Sequence, residues 1–270
     1  MCTEKERLDV ELVKRSLFSS REKGRESIIK GEIYVNGKKI TKGSHKVSSE
    51  DNIEFMGEKM PFVSRGGLKL KKALESFKID LCGKVCFDIG ASTGGFTDCM
   101  LQNGAIKVWS VDVGTGQLDR RLKDDERVVN MEKTNIRYLT SEKINEDVHF
   151  ASIDVSFISL EKVVPTVAKL LCNSGEVVAL IKPQFEAGKG KVGKHGVIKK
   201  PSVHLEVIKR VINFLRAENL KIRGVDYSPI KGPEGNIEYL IYFTKDSSYV
   251  DNITDENIEM TVKLAHSCLR

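Results

Sequence analysis

Asp154, Lys182 and Glu238 are charged residues set where apolar runs begin or end. Asp154 follows Phe150-Ala-Ser-Ile, Lys182 follows Val177-Val-Ala-Leu-Ile, and Glu238 opens the run that ends at Phe243. In an open α/β sheet, ligands are handled where buried strands emerge. A lysine at such a place can act as a general base if its ammonium loses a proton readily, and acids beside it can orient it. A lone lysine at a strand end is more often a surface residue, and a lone aspartate a helix cap. The ordered set is harder to dismiss. Glu238 is expected at the start of the last strand.

A second group surrounds Lys84-Val-Cys-Phe-Asp-Ile-Gly-Ala-Ser-Thr-Gly-Gly-Phe-Thr-Asp98. Val85 to Ile89 reads as a short buried parallel strand, Gly90 breaks it, and the helix expected over 94–102 follows. Strand, glycine turn and helix N-terminus together form a cradle for a nucleotide-like ligand. The spacing Gly90-Ala-Ser-Thr-Gly94-Gly95 is not the three-glycine dinucleotide pattern. Val108-Trp-Ser-Val-Asp112 is a second strand whose terminal acid lies about twenty residues past the turn, where it can accept both hydroxyls of an adenosine ribose. A lone glycine turn is usually only a turn; Asp88 and Asp112 together favour the binding reading.

Alternating elements position these groups. Strands are expected at 85–89, 107–112, 127–131, 149–155, 176–182, 221–227 and 237–244, and helices at 94–102, 116–124, 159–171, 201–217 and 254–268. That order predicts a Rossmann-like α/β fold, a mostly parallel sheet covered on both faces. The last two strands, joined without a helix, predict an antiparallel final strand. Before them, Arg65-Gly-Gly-Leu-Lys-Leu-Lys-Lys-Ala-Leu74 starts a helix with Leu68, Ala73 and Leu74 toward a core and Lys69, Lys71 and Lys72 partly outward. Residues 59–64, with Pro61, read as a linker.

Residues 1–58 read as a small α+β unit. Leu8, Leu12 and Phe18 suggest a first helix, and Ser19-Ser-Arg-Glu22 a capping box for a second that runs to Lys30. Asn36-Gly37 predicts a hairpin turn, and Val47 to Phe55 a further strand. Arg7, Lys14, Arg15, Arg21, Lys23 and Arg25 give this unit a cationic surface suited to phosphates.

The chain has 270 residues, 40% hydrophobic and 30% charged, enough for a large domain plus a small one. The net charge of +6 permits nucleic acid without requiring it. The basic residues are clustered: residues 59–78 and 182–200 each hold six Lys or Arg against one acid. Ala187-Gly-Lys-Gly-Lys-Val-Gly-Lys-His-Gly196 is a cationic glycine loop leaving the strand end at Lys182, and it reads as a flap over an RNA backbone. His195 reads as a loop residue without a catalytic part. Six cysteines without a Cys-x-x-Cys pair argue against structural zinc and disulfides. The charged N-terminus is unlike a secretory signal, and no apolar run is long enough for a membrane helix. A cytoplasmic protein is expected.

Arg7-Leu-Asp9, Gly31-Glu-Ile-Tyr-Val-Asn-Gly37 and Asp51-Asn-Ile53 resemble an S4-type RNA-binding domain. The Asp88-to-Thr97 turn, Ile153-Asp-Val-Ser-Phe-Ile-Ser159 and Leu180-Ile-Lys-Pro-Gln-Phe-Glu186 resemble the FtsJ-like ribose 2′-O-methyltransferases, residues 65–270 forming that domain. Joined, the two resemble the TlyA (haemolysin A) family over nearly the whole chain. The resemblance implies an S-adenosylmethionine-dependent enzyme that methylates ribose in ribosomal RNA, with cytidine the expected nucleoside and no metal. It implies a tetrad of Lys69, Asp154, Lys182 and Glu238, with Lys182 as general base and a second ammonium from Lys69 promoting its deprotonation. It further implies cofactor contacts from Gly90, Ser92, Gly94, Gly95, Phe96, Asp112, Asn135 and Asp154. Arg65, Lys189, Lys191 and Lys194 join the basic residues expected to meet RNA. Two other readings compete: a cytolysin, since family members carry the haemolysin name, and a ribosome-binding module without catalysis.

Overall fold

The computed structural model describes residues 5–15, 17–18, 20–57, 60–188 and 190–269. The chain divides into two compact units, residues 1–60 and 61–270.

In the first unit, β1 (Glu6–Arg7) leads into α1 (Leu8–Lys14), and α2 spans Arg21–Ile29. Four short strands follow: β2 (Ile33–Val35), β3 (Lys38–Ile40), β4 (Lys46–Val47) and β5 (Ile53–Phe55). β3, β2 and β5 form an antiparallel sheet, and β1 pairs with β4. Leu8, Leu12, Ile28, Ile33, Val35, Val47 and Ile53 make the core. Asn36-Gly37 turns the β2–β3 hairpin, as expected. Two local readings shift. The strand expected from Val47 to Phe55 is broken by a turn in which the Asp51 carboxylate accepts from the Ser48 amide, 2.6 Å away. Ser20, not Ser19, caps α2, its hydroxyl accepting from the Lys23 amide; Ser19 lies outside the described residues.

The second unit begins with α3 (Gly66–Phe77) and β6 (Val85–Ile89), then α4 (Gly95–Gln102), β7 (Lys107–Val111), α5 (Arg120–Lys123) and β8 (Val128–Met131). It continues with β9 (Val148–Ile153), α6 (Val164–Leu170), β10 (Leu171–Ile181), α7 (Pro183–Glu186) and α8 (Pro201–Ala217). β11 (Lys221–Tyr227), β12 (Tyr239–Thr244) and α9 (Asp255–Cys268) complete it. The sheet order is β11-β12-β10-β9-β6-β7-β8, and β12 alone in this sheet runs antiparallel to its neighbours. β12 therefore inserts between β10 and β11, which places its first residues beside the end of β10. The strand alternation sends Val85, Phe87 and Ile89 into one core with α6, α8 and α9, and Cys86 into another with α3 and α4. Phe62 and Val63, read as linker, are buried in that second core.

Three elements differ from expectation. The helix expected over 116–124 is only the single turn α5, because Asp119 caps it by accepting from the Arg121 amide. The helix expected over 159–171 splits into a 3₁₀ turn at Leu160–Lys162 and the shorter α6. Glu238 lies just before β12 rather than inside it.

Candidate active site

α3 carries Lys69 on its buried side, among Leu70, Ala73 and Leu74. The expected outward direction is thus corrected: Lys69 is 7% exposed, whereas Lys71 reaches Glu75 on the surface and Lys72 bonds Asp226 and the Tyr227 carbonyl. This distinguishes the three lysines. Lys69 Nζ donates to Glu238 Oε2 at 2.6 Å and lies 3.6 Å from Asp154 Oδ2. Lys182 Nζ is 2.6 Å from the other oxygen, Asp154 Oδ1, and donates to Ser156 Oγ at 3.0 Å. The Lys182–Asp154 contact is ionic, since Oδ1 receives no hydrogen bond in favourable geometry. Acidic and basic side chains alternate along the cluster, Glu238, Lys69, Asp154 and Lys182.

Burial by itself would drive the Lys69 ammonium toward neutrality, but Asp154 and Glu238 outweigh it and hold its pKa above the ordinary 10.5. Lys69 is therefore a fixed cation. The Lys69 and Lys182 nitrogens sit on separate oxygens of one carboxylate, that of Asp154.

Beside this cluster, β6 ends in the turn at Gly90 (φ +86°), where a Cβ would stand 2.5 Å from the carbonyl oxygen of Asp154. Only glycine lets the two strand ends come this close. Gly95 serves another contact: a Cβ there would meet Ser64 Oγ at 2.3 Å and the Gly67 amide nitrogen at 2.8 Å, so it lets α4 approach α3. Asp112 Oδ2 accepts from the Ser92 amide at 2.8 Å and Oδ1 from the Gly114 amide at 2.7 Å. Each oxygen keeps a lone pair for a further donor. Ala91, Ser92, Asp112, Gly114, Gln117, Leu118, Asn130 and Glu132 line a pocket here. Glu132 in this pocket is engaged by Lys123 and Asn130, which leaves Asp112 as the acceptor open to a hydroxyl donor, with Leu118 as an apolar wall.

Residues 62–245 match the FtsJ-like methyltransferase family and residues 6–53 the S4 domain. The chain is 44% identical to "Putative rRNA methyltransferase YqxC" of Bacillus subtilis, over 100% of this chain and 97% of that one. It is 40% identical to the "16S/23S rRNA (cytidine-2'-O)-methyltransferase TlyA" of Mycobacterium tuberculosis, over 87% of this chain and 88% of the relative. A solved structure, "Putative hemolysin from Streptococcus thermophilus", superposes with a TM-score of 0.78 at 43% identity, covering 99% of this chain and 98% of that one. The chain belongs to the TlyA (haemolysin A) family of FtsJ-like methyltransferases.

The other residues singled out in this TlyA-family chain fall into groups. Phe96 is buried in the core rather than open at the turn. Asn135 caps a 3₁₀ turn by accepting from the Arg137 amide at 3.2 Å, and the amide of its neighbour Thr134 donates to the Asp112 carbonyl at 2.9 Å, which brings this segment beside the end of β7. Asp88 also turns inward: it accepts from the Thr97 amide and hydroxyl at 2.8 and 2.7 Å and from Ser152 Oγ at 3.2 Å. It holds α4 and β9 together beneath the Gly90 turn.

In the first unit, Arg7 and Arg21 both donate to Asp9, at 3.0 and 3.1 Å to Oδ2, and Asp9 is fully buried. The guanidinium of Arg7 foremost, then that of Arg21, lowers the Asp9 carboxyl to about 2 despite its burial. The pair is thereby fixed in place with its outer faces in water. Arg15 has a structural task, donating to Glu11 and to the carbonyls of Asp51, Ser48 and Ser49. Lys14, Lys23, Arg25 and Arg65 are exposed. Lys191 pairs with Glu206. Lys189 and the side chain of Lys194 lie outside the described residues. The cationic loop is tied down at its far end by Asn236, which donates to the Gly196 carbonyl and accepts from the Ile198 amide.

Sequence reasoning gave no part to Ser156, the second partner of Lys182, or to Phe157. Phe157 is 90% exposed, has φ +63°, and its ring centroid is 4.9 Å from that of Phe185. An aromatic residue three positions after Asp154 was the available signal.

Proposed function

We propose that this protein is an S-adenosylmethionine-dependent ribose 2′-O-methyltransferase acting on ribosomal RNA, with Lys182 as the general base. The observation that carries the reading is the buried Glu238–Lys69–Asp154–Lys182 network, set against the Gly90 turn by the approach of Gly90 to Asp154. S-adenosylmethionine would supply a methyl group already activated on a sulfonium, so no metal is needed. Asp112 and the Ser92 turn would hold its ribose, with Leu118 beside it. As a neutral amine, Lys182 would take the proton of a ribose 2′-hydroxyl while that oxygen bonds to the methyl carbon and the carbon–sulfur bond breaks; Asp154 pairs with the ammonium that results, and Ser156 holds the nitrogen from the other side. Lys69 remains a cation between two acids. A base tuned for proton transfer contributes about 10²–10⁴-fold, and alignment of the reactants adds to it.

The substrate class rests on the S4 domain, with its fixed Arg7–Arg21 pair, and on the names of the relatives. Those names favour cytidine in 16S or 23S ribosomal RNA as the target, and such a substrate supports a cytoplasmic enzyme. Phe157 offers a nucleobase a ring to stack on at the mouth of the site. The haemolysin names support a membrane-acting alternative. Among the described residues no helix is long and apolar enough to cross a membrane, and a membrane role leaves the buried four-charge network without a task.

Incubation with ribosomal subunits and methyl-labelled cofactor, followed by mapping of the labelled nucleotide, tests the reading. Label on a cytidine 2′-oxygen, lost in Lys182→Met, is the expected result. Absence of transfer, together with dye leakage from vesicles, would replace it with the membrane reading.

A further inference from the structure

Glu186, at the end of α7, is 4% exposed. Its Oε2 accepts from Ser159 Oγ at 2.8 Å and from Arg210 Nη2 at 3.2 Å, and its Oε1 accepts from the Leu160 amide at 2.8 Å. Arg210, on α8, also donates to the Glu186 carbonyl and lies 3.4 Å from Glu161. A buried carboxylate that accepts from three donors, one of them a guanidinium, costs much to disrupt and holds its partners rigidly.

The partners matter because of where they stand. Ser159 and Leu160 end the loop that starts at Asp154. That loop is fastened to the segment after β10 at both ends: Asp154 and Ser156 to Lys182, and Ser159 and Leu160 to Glu186. Between the fastenings stands Phe157, exposed, at positive φ, its ring on Phe185. A non-glycine residue keeps such a backbone only when its surroundings impose it. The two clamps supply that constraint.

We propose that Glu186 is a positioning residue. Through Ser159 and Leu160 it sets the loop so that Ser156 meets Lys182 and the Phe157 ring faces the RNA substrate. The proposal rests on the methyl-transfer reading for what the loop meets, and on the Glu186 contacts for how the loop is held. Its loss therefore weakens RNA engagement and turnover, while cofactor affinity, which belongs to the Asp112 side, is retained.

Hydrogen exchange of the full chain and single-turnover methyl transfer test this together on Glu186→Ala, Phe157→Ala and the double variant. Glu186→Ala is expected to speed exchange about tenfold or more in the peptide covering 154–163, the size of effect expected from about one lost hydrogen bond. Exchange in β6 and β9 should not change. It should raise the KM for ribosomal RNA about tenfold and leave calorimetric cofactor affinity unchanged. The double variant should be no worse than Phe157→Ala, because both act through one loop. If Glu186→Ala folds poorly, Ser159→Ala removes one arm of the same clamp and should speed exchange in the same peptide. Unchanged exchange at 154–163 overturns the proposal whatever the activity, and so do losses that multiply in the double variant. A wild-type enzyme that transfers no methyl would instead overturn the methyltransferase reading, while the exchange result still decides the clamp.

Discussion

Lys69 Nζ lies 2.6 Å from Glu238 Oε2, although the residues are 169 positions apart in the chain. Each is nearly sealed from water, so each depends on the other for its charge. Lys69→Met would leave the Glu238 carboxylate buried beside Asp154 and is expected to cost about 3–5 kcal/mol of stability near pH 7, measured by urea unfolding. The pH dependence has a definite sign. A lysine whose pKa is raised on folding contributes stability that is fully present below its unfolded value, ordinarily 10.5, and is lost as pH rises through the folded value. Wild-type stability should therefore fall above about pH 10.5, and Glu238→Gln should flatten that fall. Equal slopes in the two proteins would show that the pair does not govern it.

Lys182→Arg should reduce the single-turnover rate by at least about 10²-fold while cofactor binding is kept, because a guanidinium stays protonated at any usable pH. If Lys182 served only as a fixed positive charge, arginine would retain most of the rate. A well-folded Lys182→Arg enzyme within a few-fold of wild type would remove the general-base role.

Asp112→Ala should weaken S-adenosylmethionine binding by about tenfold or more, as about 1.4 kcal/mol corresponds to each factor of ten. Two losses combine: the ribose acceptor, and the link that ties the Ser92 and Gly114 amides together. RNA affinity, read by filter binding, should stay within a factor of about two. Calorimetry giving wild-type cofactor affinity would take Asp112 out of the site.

Asp88 offers a test in the acidic range. Burial raises its carboxyl to about 7 from an ordinary 3.8, although Thr97 and Ser152 donate to it. The folded state thus holds this proton more tightly than the unfolded state, and stability falls as pH rises between those two values. For one proton the slope is at most about 1.4 kcal/mol per pH unit. Asp88→Asn should remove that component from urea midpoints collected between pH 4 and 7. An unaltered pH profile would mean that Asp88 is ionised throughout.

The sequence by itself determined the α/β alternation, the glycine turn and the strand-end places of Asp154 and Lys182. Each is encoded within a few neighbouring residues, as an apolar run, a breaking glycine or a polar residue at a run's end. The Asn36-Gly37 hairpin was legible for the same reason. Tertiary structure decided which lysine of Lys69, Lys71 and Lys72 turns inward, because α3 has a buried side only once it lies on the sheet and Glu238 waits beneath it. It decided that Phe96 and Asp88 face the interior, that Ser156 meets Lys182, that Phe157 lies against Phe185 and that Glu186 holds Ser159 and Leu160. The insertion of β12 between β10 and β11 brings Glu238 beside strand ends far from it in sequence. Local propensity cannot express such a pairing, since it depends on loop closure and on which charges must neutralise one another once water is gone.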